Sequence, residues 1–197
     1  MEKNKNIKYI TKVGVLTAVA TVLMLIEIPL PFAPPFYKLD FSEIPIVIGG
    51  FALGPFSCVI MELLKNILHI VIKGTQTAFV GEFANFVTGL ALVLPATFIY
   101  KYKKTLKGAL VGMLCGTVCL AVIGSLINYF ILIPTFSKMY HMPLETIIKM
   151  GTDVNKNISD LKTLIVFAVL PFNLVKSAAT FTVSLLLYKR VSRILHI

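Results

Sequence analysis

The sequence of 197 residues contains few charged side chains, 14% of the residues, where an ordinary soluble domain has about 25%. Hydrophobic residues make up 57%, and the mean hydropathy is +0.86. So few polar side chains cannot cover the surface of a soluble enzyme, and so apolar a chain is neither disordered nor a disulfide-rich secreted domain. The composition therefore predicts a small integral membrane protein with a single domain over residues 1–197.

Several chemical signatures are also missing. The three cysteines lie in apolar stretches without a CxxC pair, and the three histidines are far apart. We therefore predict neither a disulfide framework nor a metal site. The chain has no GxxxxGK[ST] motif, so it does not bind ATP through a P-loop. No internal repeat is visible, which weighs against the transporters built from inverted repeats.

Long apolar runs are what the sequence has instead. A helix needs about 20 apolar residues to cross a bilayer, and five runs approach that length: residues 10–28, 56–72, 79–100, 106–133 and 164–188. A sixth run, residues 41–53, is short and contains Pro45, Gly49 and Gly50. Hydropathy alone leaves open whether this run crosses the membrane or re-enters it.

The net charge of +10 is concentrated in three places. These are the N-terminus (Lys3, Lys5, Lys8, Lys12), one internal loop (Lys101, Lys103, Lys104, Lys107) and the C-terminus (Lys189, Arg190, Arg193). Because basic residues mark cytoplasmic segments, both termini are predicted to be cytoplasmic, and the number of spans should be even. The internal loop is cytoplasmic only if the short run crosses too. We therefore predict an all-α protein with six transmembrane helices, and no nucleic-acid partner.

Polar side chains inside the apolar runs are the informative residues, because they are costly there and usually face a cavity or one another. One run carries four of them at i, i+3, i+4 and i+7, hence on one helical face: Glu62, Lys65, Asn66 and His69. Three further runs carry Glu82 with Asn85, Asn128, and Asn173 with Lys176. Each could be structural, as an ion pair or a helix-bridging amide. Together they predict a polar-lined pocket in the outer half of the bilayer.

The chemistry of this pocket limits its ligand. Its amides can donate and accept together, which suits a neutral heterocycle with alternating N–H and C=O groups. The spans contain no arginine, which disfavours a phosphate. Phenylalanines at 79, 83 and 86 and aromatic residues of the first external loop could contact a ring. Two alternatives remain open: an intramembrane enzyme that uses Glu62 and His69, and a structural membrane subunit without a ligand.

The first apolar run has small residues four apart, a spacing that lets helices approach closely. The candidates for a docking face are Gly14, Ala18 and Thr21. Internal packing is the alternative explanation.

Five stretches of this chain match a known family: YKLDFSEIPIVIGGFALGP (37–55), ELLKN (62–66), FVGEFANF (79–86), GSLINYF (124–130) and PFNLVK (171–176). On these stretches the chain resembles the S components of energy-coupling factor (ECF) vitamin transporters, and among them the riboflavin-specific type. The resemblance covers almost the whole sequence. It implies a substrate-capture subunit of the cell membrane, with riboflavin as transported ligand, no cofactor and no enzymatic activity. An S component for another vitamin or heterocycle is the alternative within the family.

The resemblance also implies partners. Such subunits associate with a transmembrane coupling subunit, which contacts the small residues of the first helix, and with two cytoplasmic ATPases. ATP hydrolysis by these partners reorients the S component and releases the vitamin inside. The missing P-loop agrees with this division of labour.

The ligand contacts that the resemblance and the polar pattern suggest are Asn128, Asn173, Lys176, Glu82, Asn85, Asp40, Glu43 and Lys65. An asparagine can pair with the N3–H group and a carbonyl of the isoalloxazine edge, and Lys176 can donate to a ring carbonyl or hold an asparagine in place. Asp40 and Glu43 are expected to take the ribityl hydroxyls. The proline-rich segment 29–40 is expected to cover the pocket as a lid.

Overall fold

The structure, a computed structural model, describes residues 2–75 and 77–195, with side chains for 6–75 and 77–188. Its elements are α1 (Glu2–Met24), β1 (Ile28–Pro29), β2 (Lys38–Leu39), α2 (Glu43–Leu53), α3 (Pro55–Lys73), α4 (Val80–Tyr102), α5 (Leu106–Ile127), α6 (Ile133–Met139), α7 (Leu144–Val154), α8 (Leu161–Leu164) and α9 (Leu170–Leu195). π-Helical segments join α5 to α6 (Asn128–Leu132) and α8 to α9 (Ile165–Val169). The basic side chains predicted at 3, 5, 189, 190 and 193 lie outside the described side chains.

Five helical segments of the described residues are long and apolar enough to cross a membrane. They are Asn6–Met24, Pro55–Lys73, Val80–Tyr102, Leu106–Met139 and Leu161–Tyr188. The helical character of the protein and its five long apolar runs are therefore confirmed. The first helix ends at Met24, before the predicted boundary at 28, because Ile28 and Pro29 pair with Leu39 and Lys38 in a short antiparallel ladder.

The short sixth run forms α2, which lies in the middle of the bundle. Nine of its eleven residues are buried, and it packs against α1, α3, α4 and α9. Gly54, with a φ of 100°, turns the chain directly from α2 into the 19 residues of α3. At 1.5 Å per residue, α2 is about 12 Å shorter than α3. Since the two helices meet at Gly54, this difference leaves room for a cavity above the first turn of α2.

The opposite end of the bundle is aromatic and basic. The rings of Phe51, Tyr100 and Tyr188 contact one another at centroid distances of 4.5, 5.5 and 5.9 Å. Tyr9 of α1 packs against the hydrophobic core that includes Phe51, and exposed lysines of the α4–α5 connection follow directly after Tyr100. The cavity above α2 and the basic loop therefore lie at opposite ends of the molecule.

Helices α4 and α5 pack closely because α5 presents glycines to the backbone of α4. A Cβ atom added at Gly116 would lie 2.2 Å from the carbonyl oxygen of Leu92, and one at Gly112 would lie 2.6 Å from that of Ala96. Both distances are too short for a side chain, so the contact depends on glycine at these positions.

Substitution of Gly116 by alanine should therefore lower the free energy of unfolding by about 1–3 kcal/mol, because the helices must move apart. Thermal unfolding of the purified protein in detergent measures the effect. Gly14→Ala is the matched control, since a Cβ there meets no atom within 4 Å. Equal stability of the two variants would contradict the packing argument.

Candidate ligand-binding site

Two adjoining cavities lie above α2, beneath the loop that carries β1 and β2. The outer cavity has a volume of about 620 Å³ and the inner cavity about 160 Å³. Both are lined by Phe36, Lys38, Asp40, Gly81 and Asn85, which form the wall between them. Ligand sites usually measure about 300–1,000 Å³. The inner cavity alone is therefore too small for a multi-ring ligand, whereas the two together are large enough.

The inner cavity brings together six of the eight predicted contact residues from five parts of the chain. They are Asp40, Glu43, Asn85, Asn128, Asn173 and Lys176. Glu82 lines the outer cavity, where its Oε2 accepts hydrogen bonds of 3.1 Å from the hydroxyls of Thr75 and Thr77. Lys65 lines neither cavity.

Asn128 has a fixed amide orientation. Its Nδ2 donates to the carbonyl oxygen of Gly124 at 2.8 Å, so Oδ1 is left to accept. That oxygen accepts a hydrogen bond of 2.6 Å from the hydroxyl of Tyr37 in the overlying loop. Burial raises the pKa of Tyr37 above its ordinary value, which keeps the hydroxyl protonated as a donor. Asn128 is the first residue of a π-helical segment, a feature common at functional sites.

Two buried polar atoms on the inner cavity's lining residues have no hydrogen-bond partner among the described residues: Asn85 Oδ1 and Asn173 Nδ2. Buried polar atoms normally have partners, because leaving one unpaired costs about 1–3 kcal/mol. These atoms offer one donor and one acceptor to a bound molecule. Gly124 makes room for the donor, since a Cβ at that position would lie 2.6 Å from Asn173 Nδ2.

A buried cluster of charges forms the floor of the site. Lys176 Nζ lies 3.0 Å from Asp40 Oδ2 and 4.0 Å from Glu43 Oε1. Below it, the fully buried Lys65 Nζ lies 2.9 Å from Glu43 Oε1 and 2.8 Å from Glu62 Oε2. Lys65 would have to break these ion pairs to reach a ligand directly. In this geometry it instead holds Glu43, and through Glu43 the ammonium group of Lys176.

Asp40 is ionised at neutral pH despite its burial. Burial alone would raise its pKa, but the ammonium groups of Lys176 and Lys65 and two hydrogen bonds from Ser42 bring the pKa below its ordinary value. The carboxylate therefore anchors the end of the loop to α9 through Lys176.

The rim of the outer cavity is closed by Glu27, whose carboxylate pairs with Lys38 of the loop, at 2.5 Å, and with Lys73 at the end of α3. Burial opposes ionisation of Glu27, but both lysines outweigh it and lower the pKa. The contribution of this carboxylate to loop closure is therefore complete above its ordinary pKa and is lost as the pH falls through the lower pKa of the folded protein.

Replacement of Glu27 by glutamine should loosen the loop. Exposed ion pairs contribute about 0–1 kcal/mol each, so amide hydrogen exchange within residues 28–40 should accelerate about 2- to 5-fold. The same acceleration is expected in the wild-type protein at high salt, which screens these ion pairs. Glu145→Gln, a change at an exposed carboxylate of α7, is the control. Equal exchange in the two variants would show that Glu27 does not hold the loop.

The sequence patterns do not predict one wall of the outer cavity. Phe136, Tyr140, Met142, Ile147 and Met150 of the α6–α7 region line it. The available signal was the amphipathic spacing in α7, a helix of 11 residues with Ile147 and Gly151 buried on one side. The aromatic prediction is partly corrected: Phe36 and Tyr37 line the cavities, but Phe79 and Phe83 are each 58% exposed and point away.

The predicted docking residues of α1 differ in exposure. Gly14 and Ala18 are exposed along the outer side of the helix. Thr21 is buried, and its hydroxyl donates to the carbonyl oxygen of Thr17 at 2.9 Å. A partner that approaches α1 could thus meet Gly14 and Ala18, while Thr21 packs internally.

An apolar helical bundle with a polar-lined cavity at one end defines a membrane protein that binds a small molecule. The chain belongs to the family of ECF transporter substrate-specific components, whose family model matches residues 8–188. This family membership makes it a transport component rather than an enzyme. Glu62 and His69 do not share a site: Glu62 is fully buried beside Lys65 and lines neither cavity, whereas His69 lines the outer cavity.

Similar proteins support the same family. The chain is 34% identical to the riboflavin transporter RibU of Staphylococcus aureus over 99% of its own length and 94% of the relative's. It is 33% identical to the riboflavin transporter FmnP of Bacillus subtilis, over 86% and 84%. A solved structure described as the S component of a bacterial ECF transporter superposes with a TM-score of 0.74 at 30% identity, covering 98% of this chain and 99% of that one.

Proposed function

We propose that this chain is the riboflavin-binding S component of an ECF importer, which captures the vitamin outside the cell and releases it inside. One observation carries the choice of ligand class. The inner cavity pairs an oriented acceptor, Asn128 Oδ1, with an unpartnered buried donor, Asn173 Nδ2. The imide edge of an isoalloxazine ring has an N–H group beside carbonyl groups, which matches this set. Two relatives named as riboflavin transporters support the same choice.

Each predicted residue has a role in this proposal. Asn128 accepts from the ring N–H, Asn173 donates to a ring carbonyl, and Lys176 donates to a second carbonyl or ring nitrogen. Asn85 and Glu43 accept from ligand donors, and Asp40 and Glu82 meet hydroxyls of the ribityl chain towards the outer cavity. Lys65 supports Glu43 from below.

The proposed topology has six crossings, with α2 as the short one, and both termini in the cytoplasm. Successive helices run alternately between the cavity end and the basic end of the bundle, which supports an even number of crossings. Lysines at the basic end support a cytoplasmic location for it, because positive residues are retained there. The cavities then open to the outside of the plasma membrane, and residues 1–197 form one substrate-binding domain.

In this proposal, release of the vitamin inside the cell requires partner proteins. A transmembrane coupling subunit and two cytoplasmic ATPases supply the energy, and the exposed residues Gly14 and Ala18 of α1 are the proposed contact with the coupling subunit. Their small size allows close helix approach within the bilayer.

The absorption spectrum of the protein purified from cells grown with riboflavin tests the proposed ligand. We expect a flavin spectrum in stoichiometric amount, and mass spectrometry of the released molecule should identify riboflavin. If the released molecule were a different heterocycle, the proposed ligand would be wrong but the proposed binding site would stand. A protein that neither carries nor takes up flavin would refute the proposal.

A further inference from the structure

Tyr37 of the overlying loop occupies part of the inner site. Its side chain is only 8% exposed and lines the inner cavity. Its ring packs against Phe172 at a centroid distance of 5.3 Å, and its hydroxyl satisfies Asn128 Oδ1. The hydroxyl therefore occupies one of the two lone pairs of this oxygen, and the ring fills space beside a cavity of about 160 Å³ that cannot hold a ring system unless the Tyr37 side chain moves away.

The hydrogen bonds around Asn128 determine what can replace Tyr37. Because Nδ2 donates to the Gly124 carbonyl, Oδ1 is the amide atom that faces Tyr37, and an amide oxygen can accept only from a donor. The Tyr37 hydroxyl presents such a donor at 2.6 Å, the same chemistry that an imide N–H would present. A ligand with an acceptor or a methyl group at this position would displace Tyr37 and leave Oδ1 buried without a partner.

We propose that Tyr37 is a place-holder for the ligand, which must exchange the Tyr37–Asn128 hydrogen bond for its own N–H, and that this exchange sets both affinity and selectivity. This inference rests on the proposed function and gives Tyr37, which the sequence predicts only as an aromatic surface for a ring, a hydrogen-bonding role in ligand exchange. The bond stabilises the ligand-free protein only, so it opposes binding. Its removal should therefore tighten binding, the reverse of what the loss of a ligand contact does.

Tyr37→Phe tests the proposal because it keeps the ring and removes only the hydroxyl. Riboflavin titrations followed by fluorescence quenching should give a dissociation constant about 2- to 10-fold lower than that of the wild type, the equivalent of one net hydrogen bond. The ligand-free variant should melt at a lower temperature than the wild type, while the riboflavin-saturated proteins should melt together. Tyr129→Phe makes the same change next to Asn128 and should alter neither quantity. Unchanged or weakened binding of Tyr37→Phe would overturn the proposal.

A second comparison does not depend on riboflavin. In an Asn128→Ala background, Tyr37→Phe should no longer lower the melting temperature of the ligand-free protein, because the accepting oxygen is gone. A loss of the same size in both backgrounds would show that the hydroxyl acts elsewhere and would overturn the proposal. If the wild-type protein failed to quench riboflavin fluorescence, the proposed riboflavin-binding function would be refuted. The melting comparison would still decide whether the Tyr37–Asn128 bond exists.

Discussion

Replacing Lys65 with methionine should lower the free energy of unfolding by about 3–5 kcal/mol, the usual cost of removing one partner from a buried ion pair. The Lys65 side chain is fully buried, and its ammonium group lies within 3 Å of carboxylate oxygens of both Glu43 and Glu62. Without it, two buried carboxyl groups would lack their counter-ion in a medium of low dielectric constant. Equilibrium unfolding in mixed detergent micelles measures the loss.

Two controls separate charge from packing at Lys65. Lys149→Met makes the same change at an exposed site of α7 and should alter stability by less than about 0.5 kcal/mol. Adding Glu43→Gln and Glu62→Gln to Lys65→Met removes the uncompensated charges and should recover most of the loss, since uncharged replacements of buried ion clusters are often neutral. If Lys65→Met were as stable as Lys149→Met, the buried cluster could not be the floor that supports the site.

Lys176→Met should weaken riboflavin binding roughly 10- to 100-fold, the usual value of a hydrogen bond from a charged donor. Lys176 lines the inner cavity, and Asp40 and Glu43 hold its ammonium group at 3.0 and 4.0 Å. The substitution removes a ligand donor and also releases the Asp40 end of the loop. Fluorescence titration with riboflavin measures the loss of affinity.

The double variant Lys176→Met, Asp40→Asn distinguishes the two consequences. Lys176→Met alone should lower thermal stability, because it leaves the buried Asp40 carboxylate without its ion-pair partner. Asp40→Asn removes that carboxylate and should restore the stability. Affinity should stay low, since the ligand donor is still missing. Wild-type affinity in either variant would remove Lys176 from the site.

The long helices and most of the polar residues that line the inner cavity could be predicted because the bilayer penalises polar groups so strongly. Asn128, Asn173 and Lys176 stand out in apolar runs, and the structure brings them to one cavity. How deep each polar side chain lies below the cavities was harder to predict. Helical periodicity puts Lys65 on a polar face, but only the packing of α2 against α3 shows that it lies below the cavities with Glu43.

The cavity contacts that the sequence does not predict lie in loops and short helices. The sequence predicts Tyr37 as an aromatic surface for a ring but not its bond to Asn128, because in an irregular segment no periodicity indicates the direction of a side chain. The α7 wall was overlooked because its helix is too short to be a span. Phe79 was misassigned because a local backbone turn decides its direction, with a φ of 69°.

A pair of titrations with riboflavin and its N3-methyl derivative tests the central claim most directly, since the claim assigns the imide edge of a flavin to Asn128 and Asn173. The account predicts saturable quenching by riboflavin at one molecule per chain. Binding of the N3-methyl derivative should be at least about 10-fold weaker, because Asn128 Oδ1 would be left buried without a donor. Equal binding of the two flavins would contradict the assigned orientation, and a flat riboflavin titration would contradict the function itself.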